Sequence, residues 1–250
     1  MTELKISGVI LLCVFGGAIA GMFVRSRLPE HHLAPESKDV VKVGTGLIGT
    51  MAALVLGLLV GSAKGSYDAQ KGEVTELAAT VLLLDRVLAH YGPEAQDARA
   101  HVRQAASVAM GRIWGTTVDG STLPLGVKEE SLTDALHNLI PKDDAQRARL
   151  AEAQALGSSF AHTRLLLFEQ ASGSAVAYPL LMVLVVWLTA IFFSFGMFAP
   201  ANATVIVTLL LCAASVSSAL FLILELDHPF DGVIQISDAP LRRAIEHLGK

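Results

Sequence analysis

The hydrophobic positions of this chain gather into four long runs, at 6–24, 43–63, 175–198 and 203–224, none of which holds an Asp, Glu, Lys, Arg or His. They come as two pairs around a polar middle. At about 1.5 Å rise per residue, roughly 20 apolar residues cross a hydrocarbon core of about 30 Å. The pattern therefore predicts four membrane-spanning helices. A small-residue stretch, Ala18-Ile19-Ala20, resembles a signal-peptide cleavage site. The apolar run continues past it to Arg25 and Arg27, however, so it reads as a span with a basic stop.

The middle has a different rhythm. Val74, Leu77, Val81, Leu84, Leu88 and Tyr91 recur at steps of three and four, which is one face of an amphipathic helix. No turn signal separates them from the second run. Span two is thus expected to continue as one long helix, with Gly65 and Gly72 as weak points and Gly92-Pro93 as its end. Pro93 opens a further helix to about Trp114, with Val102, Ala105, Ala109 and Ile113 on one face. Residues 115–124 read as loop and 131–140 as a short helix. Another helix starts at Asp143 and carries Ala145, Leu150, Ala153 and Leu156. Pro200 and Asn202 form a tight turn between spans three and four. Residues 233–236 suggest one short strand, and Ser237 caps a last helix with Pro240 in its first turn. The fold class is all-α and integral to a membrane, with a helical extramembrane domain between spans two and three. The domain reading is 1–63 for the first two spans, 64–174 for the helical domain, 175–226 for the last two spans and 227–250 for a C-terminal turn and helix.

Charge follows the same division. Of 42 charged side chains, 25 fall in 64–169. The net charge of −4 leaves no footprint for nucleic acid. The two cysteines, Cys13 and Cys212, sit in spans and read as small packing residues. Without carboxylates, histidines or bases inside the spans, a proton relay or ion-coupled carrier is disfavoured. An ion path here would be built from apolar and small side chains, hydroxyls, helix ends and charges at the mouths. One four-span subunit is too small to enclose such a path, so a conducting form would be an oligomer.

Candidate chemistry is sparse. Gly44, Gly46 and Gly49 spell a dinucleotide-binding fingerprint, but an apolar span follows them and no βαβ unit surrounds them. They read instead as part of a small-residue stripe of Gly46, Thr50, Ala53, Gly57 and Gly61, suited to close helix approach. Gly17 and Gly21 form a similar pair in span one. His31-His32 lacks further ligands within reach, and Asp227, Asp231 and Asp238 read as turn and cap acids rather than a Ca²⁺ cage. No nucleophile–base pairing stands out, so catalysis is disfavoured and neither cofactor nor metal is expected.

Three stretches carry a resemblance. They are Leu28-Pro29-Glu30-His31-His32-Leu33 with Ser37-Lys38-Asp39-Val40-Val41-Lys42; Lys64-Gly65-Ser66-Tyr67-Asp68; and Leu226-Asp227-His228-Pro229-Phe230-Asp231-Gly232 with Pro240-Leu241-Arg242. Together they resemble the bacterial bestrophin-like family of four-span membrane proteins, over essentially the whole chain. The resemblance implies a link to bestrophins, pentameric anion channels whose second span lines the pore neck. It therefore implies a homo-oligomer, with chloride or other anions and membrane lipid as partners. On span two, Met51, Val55 and Leu58 are the pore-lining candidates, opposite the small stripe, and no neck aromatics stand there. Asp227, Pro229, Phe230 and Gly232 match the family's turn after the last span, although the acidic run that binds Ca²⁺ in bestrophins is missing. Basic residues near the spans number four on the connector side (Arg25, Arg27, Lys38, Lys42) and six on the other (Lys5, Lys64, Lys71, Arg164, Arg242, Arg243). That bias agrees with cytoplasmic termini and a cytoplasmic middle domain in an inner membrane.

Overall fold

The computed structural model describes residues 2–29, 35–115, 130–172 and 178–249. Its regular structure is helical: α1 (Thr2–Arg27), α2 (Pro35–Tyr91), α3 (Gln96–Ile113), α4 (Glu130–His137), α5 (Asp144–Ser172), α6 (Tyr178–Phe198), α7 (Ala203–Asp227) and α8 (Ala239–His247), with a single 3-10 turn at Pro93–Ala95 among the described residues. Four of these helices, α1, α2, α6 and α7, are long and apolar enough to cross a membrane. The helices group into two compact units. One comprises residues 1–67 and 174–228, the other 68–173 and 229–250, and α2 contributes to both.

In the first unit α1 packs against α6 and α7. Ile10, Val14 and Ala18 recur every four residues on α1 and are buried, as are Leu184 and Leu188 on α6 and Ala213 and Leu220 on α7. The backbones of α1 and α6 approach closely because the contact is lined by glycine. A methyl group added at Gly17 would stand 2.9 Å from Thr189 O, and one at Gly21 would stand 2.8 Å from Met197 N. Residues 17 and 21 thus meet 189 and 197, so the two helices run parallel. Hydroxyls within these apolar helices bond back to their own backbone: Thr189 Oγ1 donates to Val185 O at 2.8 Å and Thr208 Oγ1 to Thr204 O at 2.9 Å. That satisfies polar groups which lipid cannot. The Pro200–Asn202 turn forms as its sequence predicts. Asn202 N–H donates to Pro200 O, and Asn202 Oδ1 accepts from Val205 N at 2.9 Å, capping α7.

In the second unit the periodic face read from sequence is the core. Val74, Leu77, Val81, Leu84, Leu88 and Tyr91 are all buried, with Val102, Ala105, Ala109 and Ile113 from α3. On α5 the buried stripe is Leu150, Ala153, Phe160 and Leu167; Ala145 is exposed and Leu156 half-buried. Neither Gly65 nor Gly72 interrupts α2, which ends at Gly92 with φ 131°. A lone glycine costs a helix about 1 kcal/mol, less than the apolar stripe on either side returns. Asp143 Oδ1 accepts from Gln146 N at 2.6 Å at the start of α5, and the Gln146 amide donates to Tyr91 O at 3.0 Å. Two neighbouring side chains, Asp143 and Gln146, thereby close orphan groups at two helix ends. Residues 116–124 of the expected loop lie outside the described residues.

Two local expectations change. Residues 233–236 are not a strand. A lone strand has no partner for its ladder groups, and those of Ile236 are taken elsewhere: its N–H donates to Pro229 O at 2.7 Å, and its C=O accepts from Trp114 Nε1 at 2.7 Å. At α8 the N-cap residue is Asp238 rather than Ser237, because Ala239 is already helical. The Ser237 hydroxyl still accepts from Ala239 N, at 3.2 Å.

Candidate functional site

Within the uncharged stretch 43–63, α2 has three faces. Thr45, Ala52, Leu59 and Ala63 are buried. The small residues Gly46, Thr50, Ala53, Gly57 and Gly61 are exposed, and a methyl group added at Gly46, Gly57 or Gly61 would meet nothing within 4 Å. At about 100° per residue, this stripe lies roughly 140° round the helix from the buried face. Between them on the open side stand Met51 and Leu58, which are 45% and 67% exposed, with Leu47 and Leu54; Val55 is half-buried at the edge of the covered face. Only 11% of the most apolar window of α2 is buried, against 28–33% for the other three spans. Its side chains thus have few neighbours from their own chain. Gly44, Gly46 and Gly49 sit inside this continuous helix, which removes the strand–turn–helix geometry that a dinucleotide fingerprint needs.

The turn after α7 is built around Phe230 and Gly232. Phe230 is buried and meets Trp114 edge to face, with centroids 5.6 Å apart at 88°. Gly232 has φ 111°, where a side chain would be strained. Pro229 supplies the carbonyl that holds Ile236. Asp227, the last residue of α7, has a fully buried side chain with His228 Nδ1 at 3.9 Å. Asp231 is exposed, and Asp238 pairs with Arg242. The three aspartates serve separate local structures. Among the described residues no three His, Cys, Asp or Glu side chains converge as a metal site would require. His31 and His32 lie outside the described residues.

Two features escaped sequence reasoning. The first is a partly buried ion pair that ties α2, α3 and the segment after α8. Arg99 donates to Asp85 through Nε at 2.7 Å and Nη2 at 2.9 Å, Gly249 N–H donates to the same carboxylate at 3.3 Å, and Arg103 donates to Leu248 O. Asp85 lies 22 positions beyond the uncharged stretch. Burial would raise its carboxyl, but the bonds from Arg99 and Gly249, with the charges of Arg99 and Arg103, outweigh that and hold it below the ordinary 3.8. The second is a cavity of about 900 Å³ between the first turns of α2 and the last turns of α6, which includes Lys38, Lys42, Phe195 and Phe198. Its only signal in the sequence is a pair of lysines four apart, just before an apolar run.

Four apolar spans with a helical unit make this an all-α, polytopic membrane protein. The family model described as a bestrophin-like domain matches residues 12–241, so the chain belongs to the bestrophin-like family. Its fold is similar to that of a bacterial bestrophin homologue from Klebsiella pneumoniae, solved as a crystal structure of a point mutant. The TM-score is 0.61 at 16% identity, with 96% of each chain covered. No curated protein matches the sequence.

Proposed function

We propose that this chain is the subunit of an oligomeric anion channel of the inner membrane, pentameric as its resemblance to bestrophins implies. The pore is lined by the α2 face bearing Met51, Val55 and Leu58. The supporting observation is the exposure of α2: the span richest in small residues is the one least covered by its own chain. An apolar helix with three usable faces suits a subunit that covers one face itself, meets a neighbour through the part of the small-residue stripe at Thr50, Ala53, Gly57 and Gly61, and turns the third to a shared axis. A pore of this composition gates by hydrophobic constriction rather than by titration. The termini and the helical unit face the cytoplasm, in line with the excess of basic residues on that side. Conduction needs no catalytic group. The test is purified protein in planar bilayers under a chloride gradient, with the subunit count measured by mass. A pentamer without anion-selective current would overturn the reading.

A second reading rests on the absence of aromatic side chains from the Met51–Val55–Leu58 face. In it the chain is a non-conducting membrane scaffold or sensor whose cytoplasmic helices bind a partner protein. A monomer or dimer in detergent, with one stoichiometric partner co-purifying, would favour it.

A further inference from the structure

The cavity between α2 and α6 has a polar end and an apolar end, and they fall where a membrane changes character. On α2, Lys42 is the last charge before the uncharged stretch; on α6, Phe198 is the last helical residue. From Lys38 to Gly49 the cavity follows α2 for about 16 Å, the rise of eleven residues. That reaches from the headgroup layer into the hydrocarbon. Its deep part is floored by Gly46 and Gly49, where added methyl groups would meet nothing within 4 Å, and walled by Ile191 and Phe195. The shallow part carries Lys38, Lys42 and the opposing carboxylate of Asp39, a net charge of +1. The Ser194 hydroxyl in the lining already donates to Ala190 O at 2.9 Å, so it offers lone pairs rather than a proton. A volume of about 900 Å³ lies within the 300–1,000 Å³ typical of ligand sites.

We propose that this groove binds one anionic glycerophospholipid, with its phosphate at Lys38 and Lys42 and an acyl chain along Gly46, Gly49, Ile191 and Phe195. Lysine stems lie along apolar surface while their ammonium groups reach the interface. Their ammonium groups favour a headgroup whose phosphate charge is not offset by a cation of its own. A free anion would use the lysines but would gain nothing from the apolar trough. The inference stands whether or not the chain conducts.

The test is native mass spectrometry of the full chain in detergent, titrated with phosphatidylglycerol or phosphatidylcholine. One unit of charge facing a lysine across about 4 Å of water is worth about fivefold in affinity. The wild type should therefore prefer phosphatidylglycerol by about fivefold. The exposed double substitution Lys38→Gln/Lys42→Gln should abolish the preference and leave phosphatidylcholine binding unchanged. Gly49→Leu, which fills the trough, should weaken both lipids, with helicity by circular dichroism confirming that each variant folds. An unchanged preference in the double variant would overturn the proposal, as would no preference in the wild type. Displacement of the lipid by excess inorganic phosphate would reassign the site to a free anion. Gly49→Leu lowering the oligomer mass while lipid binding stays intact would mark the groove as the seat of a second copy. Each of these readouts is independent of current, so its failure is distinct from failure of the channel reading.

Discussion

Replacing Gly21 by alanine puts one methyl group where α1 and α6 leave no room. The new carbon would overlap the Phe193 carbonyl oxygen and stand 2.8 Å from Met197 N and 3.0 Å from Phe193 C, whereas ordinary contact begins at 3.4 Å. These are backbone atoms of a continuous helix, so no rotamer change relieves the clash. The helices must part by on the order of 1 Å, which strips dispersion contacts from a dense interface. Overpacking costs about 1–3 kcal/mol, and a clash with backbone puts Gly21→Ala at about 2–3 kcal/mol. Gly16→Ala is the control: it sits one residue from Gly17, yet its new methyl meets nothing within 4 Å. That change should be neutral to within about 0.5 kcal/mol. The assay is equilibrium unfolding in mixed micelles against the mole fraction of dodecyl sulfate, followed by the fluorescence of Trp187 in α6. Gly196→Ala, which would drive its methyl into Ala18 O, should cost a similar amount. Because both substitutions open the same interface, the double variant should cost less than their sum. A Gly21→Ala cost within about 0.5 kcal/mol of the Gly16→Ala value would refute the close-contact argument.

Other outcomes follow from the same geometry. Gly57→Leu should leave the single chain folded, since among the described residues nothing lies within 4 Å of a Cβ added there, but should lower the oligomer mass measured by light scattering. Met51→Ala or Val55→Ala should change single-channel conductance if that face lines water, and should leave bilayer currents unaltered if it meets lipid. Asp85→Asn removes a charge-assisted pair whose side chains are 11% and 23% exposed, and should destabilise the second unit by about 2–3 kcal/mol, read as faster hydrogen exchange in α3 and α8. Its wild-type counterpart carries a pH signature. The folded-state pKa of Asp85 is lowered, so the pair's contribution is fully present above the ordinary value of 3.8 and is lost as the pH falls below it; the Asn variant should lack that part of the acid loss.

The four spans were legible because lipid imposes an all-or-none rule on charge. The core of the second unit was legible because α2 and α3 each bury one stripe at steps of three and four. The continuity of α2 through Gly65 and Gly72 followed from the lack of any stop signal between its apolar and amphipathic parts. Residues 233–236 misled because β-branched residues mark extended backbone, and extended backbone becomes a strand only beside another. The Asp85–Arg99 pair was hidden because its partners lie on opposite sides of the Gly92-Pro93 turn, where no helical spacing links them. The lysine-rimmed cavity was hidden for a related reason: it exists only when residues 38–49 meet residues 191–199, and no local pattern reports such a meeting. The composition of the α2 faces could be read in advance, but which of them its own chain covers could not.

The second unit is assembled from two pieces of chain, 68–173 and 229–250, with α6 and α7 between them. Synthesis proceeds at about 5–20 residues per second, so the later piece emerges roughly 4–15 s after the earlier one. Throughout that interval the nascent domain is unfinished. Trp114 waits for Phe230, Asp85 and Arg103 wait for the segment at 248–249, and the surface of α3 that will receive Leu241 and Ala244 stands bare. Meanwhile two further hydrophobic segments must enter the bilayer. Maturation of this domain is therefore tied to completed insertion of the last hairpin. A defect in that insertion would leave this helical unit open, with the α3 surface uncovered.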